Sequence, residues 1–416
     1  MHVSFREGID WVGCVDFAVR DFHSYEADRG TTYNAYLVRG ERTALIDTVK
    51  SPMADALLRN IAELIAPERI DLVVCNHAEP DHAGALGAVL RAAPGAAVVC
   101  NKRCRAVLER YHDTSGWRFH QVSSGEEISL GGLTLQFLDT PMVHWPESMF
   151  TYVPEARTLF SMDAFGQHWA TSWRFDDEAP RDTLLDETKK YYANIVMPYG
   201  AQVLKCLDVV AGWPIELIAT SHGLSWRRHI ARVVEAYRGW AAHRPAPKVV
   251  VVYDTMWEST AAMAEAIAEG VARGGVETLV LPARQTGLTR IATEVLDAAA
   301  VALGSPVLNR EMMPAMAAVL NYLEGLRPER KAALAFGSYG WGRGGAESIQ
   351  AWLDRMAGAA AWRTIRPPIR AQYRPDAAVL SECRAAGESL AAETLQAAEA
   401  PEKPPSGDPA GSSRTA

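Results

Sequence analysis

Four residues of metal-binding type fall within six positions of the stretch "CNHAEPDHAG": His77, Glu79, Asp81 and His82. Imidazole nitrogens and carboxylate oxygens crowded in this way are able to hold a metal ion. The stretch follows the apolar run "DLVV" and precedes the helical pattern "AGALGAVLRAA". Three further candidates each stand just past a run of strand character. His144 follows "LQFLDTPMV", Asp163 follows "TLFSM" and His222 follows "LIATS". Side chains leaving several strand ends converge on one rim of a sheet. Residues two apart on extended chain point the same way, so His77, Glu79 and Asp81 are expected to share a face, with His82 turned toward a neighbouring position.

A second chemistry-bearing stretch is "YDTMWESTAAMA". Thr255, Met256, Trp257, Glu258, Ser259 and Thr260 join a strand to a helix, where a doubly wound sheet binds an anion. The hydroxyls of Thr255, Ser259 and Thr260, with the N–H groups of Met256 through Thr260, are expected to wrap a phosphate. The loop has no lysine and no G-x-x-x-x-G-K-[ST], which argues against a nucleoside triphosphate, and no G-x-G-x-x-G, which argues against a dinucleotide. A monophosphate held by uncharged groups suits FMN. Glu258 is compatible with it if its carboxylate turns outward. Two more strand-end loops belong to the same expected site: Ser305, Pro306, Val307 and Asn309 in "GSPVLN", and Ser338, Tyr339, Gly340, Trp341 and Gly342 in "GSYGWGRGG". Tyr339 and Trp341 are of the type that flanks a flavin ring.

The elements that must carry these loops differ between the two halves. Past the proline-rich "AHRPAPK", continuous apolar strands alternate with amphipathic helices: "KVVVVYD", "VETLVLPA", "AVALGS" and "KAALAFGS", with helices between them and "AAVLSECRAAGESLAAETLQAA" to close. That rhythm means a parallel sheet covered on both faces, a doubly wound domain expected over 248–397. The residues 398–416, rich in Pro, Ser and Gly, are expected to be a disordered tail. The first half, 1–244, mixes strands and helices. "TTYNAYLVRG" and "RTALIDTV" read as antiparallel strands around "GER", and "EEISLGGLTLQFLDT" as a hairpin. Two packed sheets with helices outside, an αββα sandwich, are expected.

The chain has 416 residues and a formal net charge of −8. That balance is wrong for a grip on nucleic-acid phosphates. No signal peptide and no membrane-length apolar run is visible, so a soluble cytoplasmic protein is expected. The six cysteines form no C-x-x-C, which leaves a zinc ribbon, a ferredoxin-type cluster and a fused rubredoxin unsupported.

The order of the seven candidate ligands resembles the metallo-β-lactamase superfamily, whose hydrolases usually carry H-x-H-x-D-H and then His, Asp and His. Here Glu79 takes the second histidine's place. The added carboxylate makes a harder, more anionic site, better suited to iron cycling between ferrous and ferric, although zinc also accepts carboxylates. H-x-E-x-D-H, with "RGTTYNAYLV", "HWPESMF", "LFSMDAFG", "SHGLSWR" and the phosphate loop "DTMW-x-ST", is similar to the flavodiiron proteins over nearly the whole chain. The resemblance implies two irons per chain: one held by His77, Glu79 and His144, the other by Asp81, His82 and His222, with Asp163 bridging. It implies FMN, reduction of O2 to water and/or NO to N2O, and a head-to-tail homodimer or a tetramer. The external electron donor would be rubredoxin, ferredoxin or a flavoprotein reductase. The rival readings are a zinc hydrolase carrying a flavodoxin-like domain and a non-catalytic FMN electron carrier. Outside the ligand set, Trp145 is expected to wall the metal site. Tyr192 is a candidate lining residue. His23 and His168 read first as satisfied structural histidines and second as neighbours of the metals. His2, His112, His120, His229 and His243 read as surface residues.

Overall fold

The computed structural model describes residues 2–399, and in them the alternation of the first half resolves into two packed sheets. The larger has the strand order Val3–Arg6, Ile9–Trp11, Tyr36–Arg39, Thr43–Ile46, Leu72–Val74, Ala97–Cys100 and Arg118–Gln121. The hairpin expected around "GER" sets Tyr36 opposite Ile46 and Arg39 opposite Thr43. Beyond it the pairing is parallel, with Leu72 between Ala44 and Ala97. Successive side chains go to opposite faces. Leu37, Leu45, Val73 and Val98 are buried with Leu57, Ile61, Leu86, Val89 and Leu108 from helices on one side. Tyr36, Val38, Ala44, Ile46, Leu72, Val74 and Val99 point the other way, into a core shared with Leu135, Phe137, Met149, Val153 and Phe160.

Those partners belong to the second sheet, ordered Glu127–Ser129, Thr134–Asp139, Met149–Val153, Thr158–Met162 and Leu217–Thr220. It opens on the expected hairpin, Ile128 opposite Leu135, and ends on a parallel pair, Leu159 beside Ile218. On its outer side, Leu207 and Val234 from helices Gly200–Val210 and Ile230–Ala241 line a cleft with Leu159 and Ile218. The result is the expected αββα sandwich.

"TTYNAYLV" is not one strand. Thr31–Tyr33 pairs with Cys14–Asp16, and the chain re-enters the large sheet only at Tyr36. Asn34 makes the break. Its amide donates to the carbonyls of Thr220 (2.8 Å) and Gly223 (3.1 Å), and its carbonyl accepts from Trp11 Nε1 (2.8 Å). These bonds tie the break to the loop that carries His222.

The second compact unit contains the chain from Gly239 onward and the short segment Ala193–Ala201. Asn194 joins it by accepting from Tyr322 Oη at 2.8 Å and reaching the Thr289 carbonyl. Its sheet is parallel, ordered Glu277–Pro282, Ala246–Tyr253, Ala298–Gly304 and Ala332–Tyr339, with Arg363–Thr364 and Ile369–Gln372 both pairing with the last. Val249, Val251, Ala300, Ala302, Leu334 and Phe336 bury one face against helices Ser259–Arg273 and Ala377–Glu399. Helices Leu288–Asp297 and Gly345–Ala360 pack on its strands as well. The last helix reaches Glu399, past the expected end at 397, and the rest of the expected tail lies outside the described residues. Among the described residues no helix is long and apolar enough to cross a membrane, and the six cysteines are all free.

Candidate functional site

The seven candidate ligands come together in two groups at the strand ends of the sandwich. The strand Leu72–Val74 delivers the first through Asn76. Its N–H and side-chain amide both donate to Asp47, at 2.8 and 2.9 Å, and its carbonyl oxygen accepts from Thr151 Oγ1 at 2.7 Å. With the backbone fixed there, His77 and Glu79 leave the extended chain on the same side, as their spacing requires. Pro80 then starts a single helical turn, Pro80–Ala83. Asp81 lies on that turn rather than on extended chain, so it parts from His77 and Glu79 and joins His82. This corrects the expectation that the three share a face.

The first group is His77, Glu79, His144 and Asp163; the second is Asp81, His82 and His222, and within each the ligand atoms lie within 4.8 Å of one another. Glu79 Oε2 is 3.0 Å from His77 Nε2 and 3.4 Å from His144 Nε2. Asp81 Oδ2 is 3.2 Å from His222 Nε2 and 3.4 Å from His82 Nε2. Asp163, a member of the first group, also faces the second. Its Oδ2 faces His144 (3.0 Å) and His77 (3.7 Å), while its Oδ1 faces His82 (3.2 Å) and His222 (3.5 Å). Donors bound at about 2.1 Å to one cation stand about 3 Å apart at right angles, and the spacing here fits that. Both oxygens of Asp81, both ring nitrogens of His82 and Asp163 Oδ1 are buried and hydrogen-bond to nothing. Several of these atoms converge on a common point without bonding one another. A divalent cation at that point satisfies them, and burying them without one is costly.

The outer nitrogens of two of the rings are held as well. His77 Nδ1 lies 2.7 Å from Glu147 Oε1, and His222 Nδ1 donates to the Thr32 carbonyl at 2.7 Å. Each bond leaves the Nε2 lone pair facing inward. Without a bound cation, His77, His82 and His144 would carry the compensating charge. Burial opposes a charge on His77, yet hydrogen bonds to Glu147 and Glu79 raise its pKa to about 9. Burial likewise opposes ionisation of Asp163, but His82, His144 and His222 hold its carboxyl well below the usual carboxylate range.

Around the two groups, Trp145 stands edge-on to His77 with ring centroids 5.0 Å apart. Phe22 covers His168 and His222 at 4.7 and 5.8 Å. His168 packs on His222 at 4.7 Å, with Nδ1 2.7 Å from Thr31 Oγ1, and burial keeps it neutral by pushing its pKa well below the usual value. His23 Nε2 lies 2.7 Å from Glu79 Oε1. Both histidines are therefore neighbours of the ligands rather than isolated structural ones. Tyr192 does not line this site: its ring packs edge-on to Tyr237, while Tyr191, one residue earlier, faces His168 and His222 at 5.1 and 6.0 Å. His243 is not on the surface. It is buried, accepts from the Glu329 N–H at 3.4 Å, and burial followed by Lys331 and Arg330 depresses its pKa to about 3.

In the second unit three loops follow neighbouring strands at one end of the parallel sheet. The strand order reverses at Ala246–Tyr253, where such sheets open a crevice. Glu258 has φ +61° at the start of helix Ser259–Arg273, whose first turn no side chain caps. The first N–H groups of that helix therefore have no side-chain partner, an arrangement that suits an anion. Thr255 Oγ1 is buried and hydrogen-bonds to nothing, which suits a phosphate oxygen. Thr260 does something else: its hydroxyl turns inward to Ser338 Oγ at 3.0 Å. Ser305 is also internal, accepting from the Met313 N–H and donating to the Pro306 carbonyl, and the Val307 N–H donates to the Ser338 carbonyl. Asn309 is exposed, and Trp257 and Trp341 stand almost wholly in solvent at the loop tips. The loop is not uncharged in its surroundings. Arg284 donates to Asp254 Oδ1 at 2.9 Å and to the Thr255 carbonyl at 2.6 Å. Sequence reading missed Arg284 because it stands outside the loop, just past the edge strand Glu277–Pro282.

Comparison with known proteins agrees with this architecture. Residues 31–223 match the family model described as ODP family beta lactamase, and 251–387 match flavodoxin. The chain is 41% identical to a nitric oxide reductase of Moorella thermoacetica over 394 residues, 94% of this chain and 98% of the relative. It superposes on the flavodiiron protein of Giardia intestinalis with TM-score 0.93 and 34% identity, covering 96% of this chain and 98% of that one. The rubredoxin oxygen:oxidoreductase of Desulfovibrio gigas gives TM-score 0.92 and 36% identity, with 96% and 100% covered. A sandwich carrying two histidine–carboxylate groups, joined in sequence to a flavodoxin-like sheet, defines the class. The chain belongs to the flavodiiron family.

Proposed function

We propose that the chain is an oxidoreductase that uses FMN-delivered electrons to reduce O2 to water, NO to N2O, or both, at a non-haem di-iron site. The observation that carries this reading is the division of Asp163, one oxygen to each ligand group. His77, Glu79 and His144 would hold one iron, Asp81, His82 and His222 the other, and Asp163 would bridge them. When bound, the iron pair offers open positions to a diatomic molecule and the flavin supplies electrons singly or in pairs.

The chain's own residues do the rest. Glu147 and the Thr32 carbonyl fix the faces that His77 and His222 present. Trp145, Phe22 and Tyr191 surround the ligands with ring surface and limit water. The carboxylates of Glu79, Asp81 and Asp163 lower the net charge of the centre and favour the ferric state. In the second unit the uncapped helix start and Thr255 would take the phosphate, with Tyr339 and Trp341 beside the ring. A nitric oxide reductase and a rubredoxin oxygen:oxidoreductase among the relatives support both substrates. Electrons come from a separate donor: rubredoxin, ferredoxin or a flavoprotein reductase. The protein works in the cytoplasm as a head-to-tail homodimer or a dimer of dimers, one subunit's flavin beside the other's irons.

The test is consumption of O2, and separately of NO under anaerobic conditions, by the reduced protein, with Asp163→Asn and His82→Ala alongside. The expected result is consumption of at least one gas by the parent and a loss of at least about 100-fold in both variants. Unchanged flavin reduction with no gas consumed by the parent would leave only an electron carrier.

A further inference from the structure

The hairpin Asp21–Glu26 has a two-residue turn, His23-Ser24, between the paired strands Asp21–Phe22 and Tyr25–Glu26. Both turn residues have positive φ, +51° at His23 and +70° at Ser24. That is the pattern of a type I′ turn, where Asn-Gly is the favoured sequence and His-Ser is not. A poorly suited residue held in such a conformation points to a reason outside the turn. The reason lies across from it. His23 Nε2 sits 2.7 Å from Glu79 Oε1, although the His23 side chain is 66% exposed. Glu79 Oε2 faces His77 and His144. The two oxygens are therefore divided, one toward the ligand group and one toward the turn. The neighbouring Phe22 stands edge-on to the His222 ring, with centroids 5.8 Å apart. One hairpin thus reaches both ligand groups.

We propose that His23 is a positioning residue that keeps Glu79 a one-oxygen ligand. Held by the imidazole, Oε1 stays off the metal, and the coordination position it would otherwise fill stays open to substrate. This rests on Glu79 binding metal as proposed above. The geometry makes turn shape and contact separable. Asn suits positive φ better than His does but is too short to reach Glu79, whereas Gln reaches it and keeps a hydrogen-bond donor.

The experiment uses the full chain with flavin in place and stripped of iron. It is titrated with Co2+ while the cobalt absorption is read beyond the flavin bands. The proteins are the parent, His23→Asn and His23→Gln, with thermal melts to establish folding. His23→Asn is expected to melt no lower than the parent. Its cobalt bands should weaken and shift as the second carboxylate oxygen binds, and its cobalt affinity should change by about tenfold. His23→Gln should return both toward the parent. Coincident spectra and affinities for parent and His23→Asn would overturn the proposal, as would a change that Gln shares in full. A parent chain that binds no cobalt would overturn the ligand assignment of Glu79 and this proposal with it.

Discussion

Glu147 Oε1 lies 2.7 Å from His77 Nδ1, on the opposite side of the ring from Glu79 and Asp163, which face His77 Nε2. The same oxygen accepts from the Ala78 N–H at 3.2 Å, so one carboxylate fixes both the ring and the backbone beside it. Such a partner sets the tautomer and raises the basicity of the inward nitrogen. Glu147→Ala is expected to weaken metal retention by about 10–100-fold. Glu147→Gln, which still accepts a hydrogen bond, should lose less. Competition with a chelator of known affinity measures both, and equal retention in Glu147→Ala and the parent would contradict this role.

Gly223 follows His222 and has φ +72°. A Cβ there would stand 1.6 Å from Gln167 Oε1 and 2.4 Å from the Gln167 carbonyl. The Gly223 N–H also donates to Thr32 Oγ1 at 2.7 Å, beside the bond that orients His222. Gly223→Ala is expected to cost at least about 2 kcal/mol and to displace His222. Urea unfolding and metal content of the purified variant check both effects.

Arg284 contacts Asp254 and the Thr255 carbonyl at the strand end that opens the proposed phosphate loop. Asp254 in turn accepts from the Thr255 N–H at 2.7 Å. The guanidinium braces the loop and places a positive charge near it. Its side chain is about half exposed, so solvent screening keeps the contribution small. Arg284→Ala is expected to weaken FMN about 2–5-fold, roughly 0.5–1 kcal/mol. Quenching of flavin fluorescence on rebinding to the apoprotein gives the number.

His243 makes stability fall in acid. Its folded pKa of about 3 lies below the ordinary histidine value of 6.5, so between the two the unfolded chain binds the extra proton. The stabilisation is whole above about pH 6.5 and declines by about 1.4 kcal/mol per pH unit below it, until the folded ring also protonates. In His243→Gln that loss disappears. The stability gap between parent and variant should narrow by about 2 kcal/mol from pH 7 to pH 5. Guanidinium unfolding at the two pH values measures it, and a constant gap would contradict the assignment.

The second unit was the more legible half, because its strands are continuous apolar runs between amphipathic helices. It lost the short pieces: the two-residue strand Arg363–Thr364, the turn of helix Ala283–Thr286, and Ile369–Gln372, whose four residues alternate buried Ile369 and Ala371 with Arg370 and Gln372 and carry too short a signal. In the first half the hairpins were readable from alternation, but Val3–Arg6 and Ile9–Trp11 were not, and Asn34 broke a run that reads as one strand. The seven candidate ligands were visible from residue type and position after strands. Their partners were not. Glu147 lies 70 residues from His77, and His23 lies 56 from Glu79. Contacts across such separations have no local period. Tyr191 and Tyr192 are adjacent on a helix, so they take different faces, and the sequence alone does not say which one meets the site.

The most direct test of the account is metal and flavin analysis of the protein expressed in iron-replete medium and purified without added metal. The expected result is two irons and one FMN per chain, with little zinc. Zinc persisting in place of iron would contradict it, and would turn the two histidine–carboxylate groups back into a hydrolytic centre.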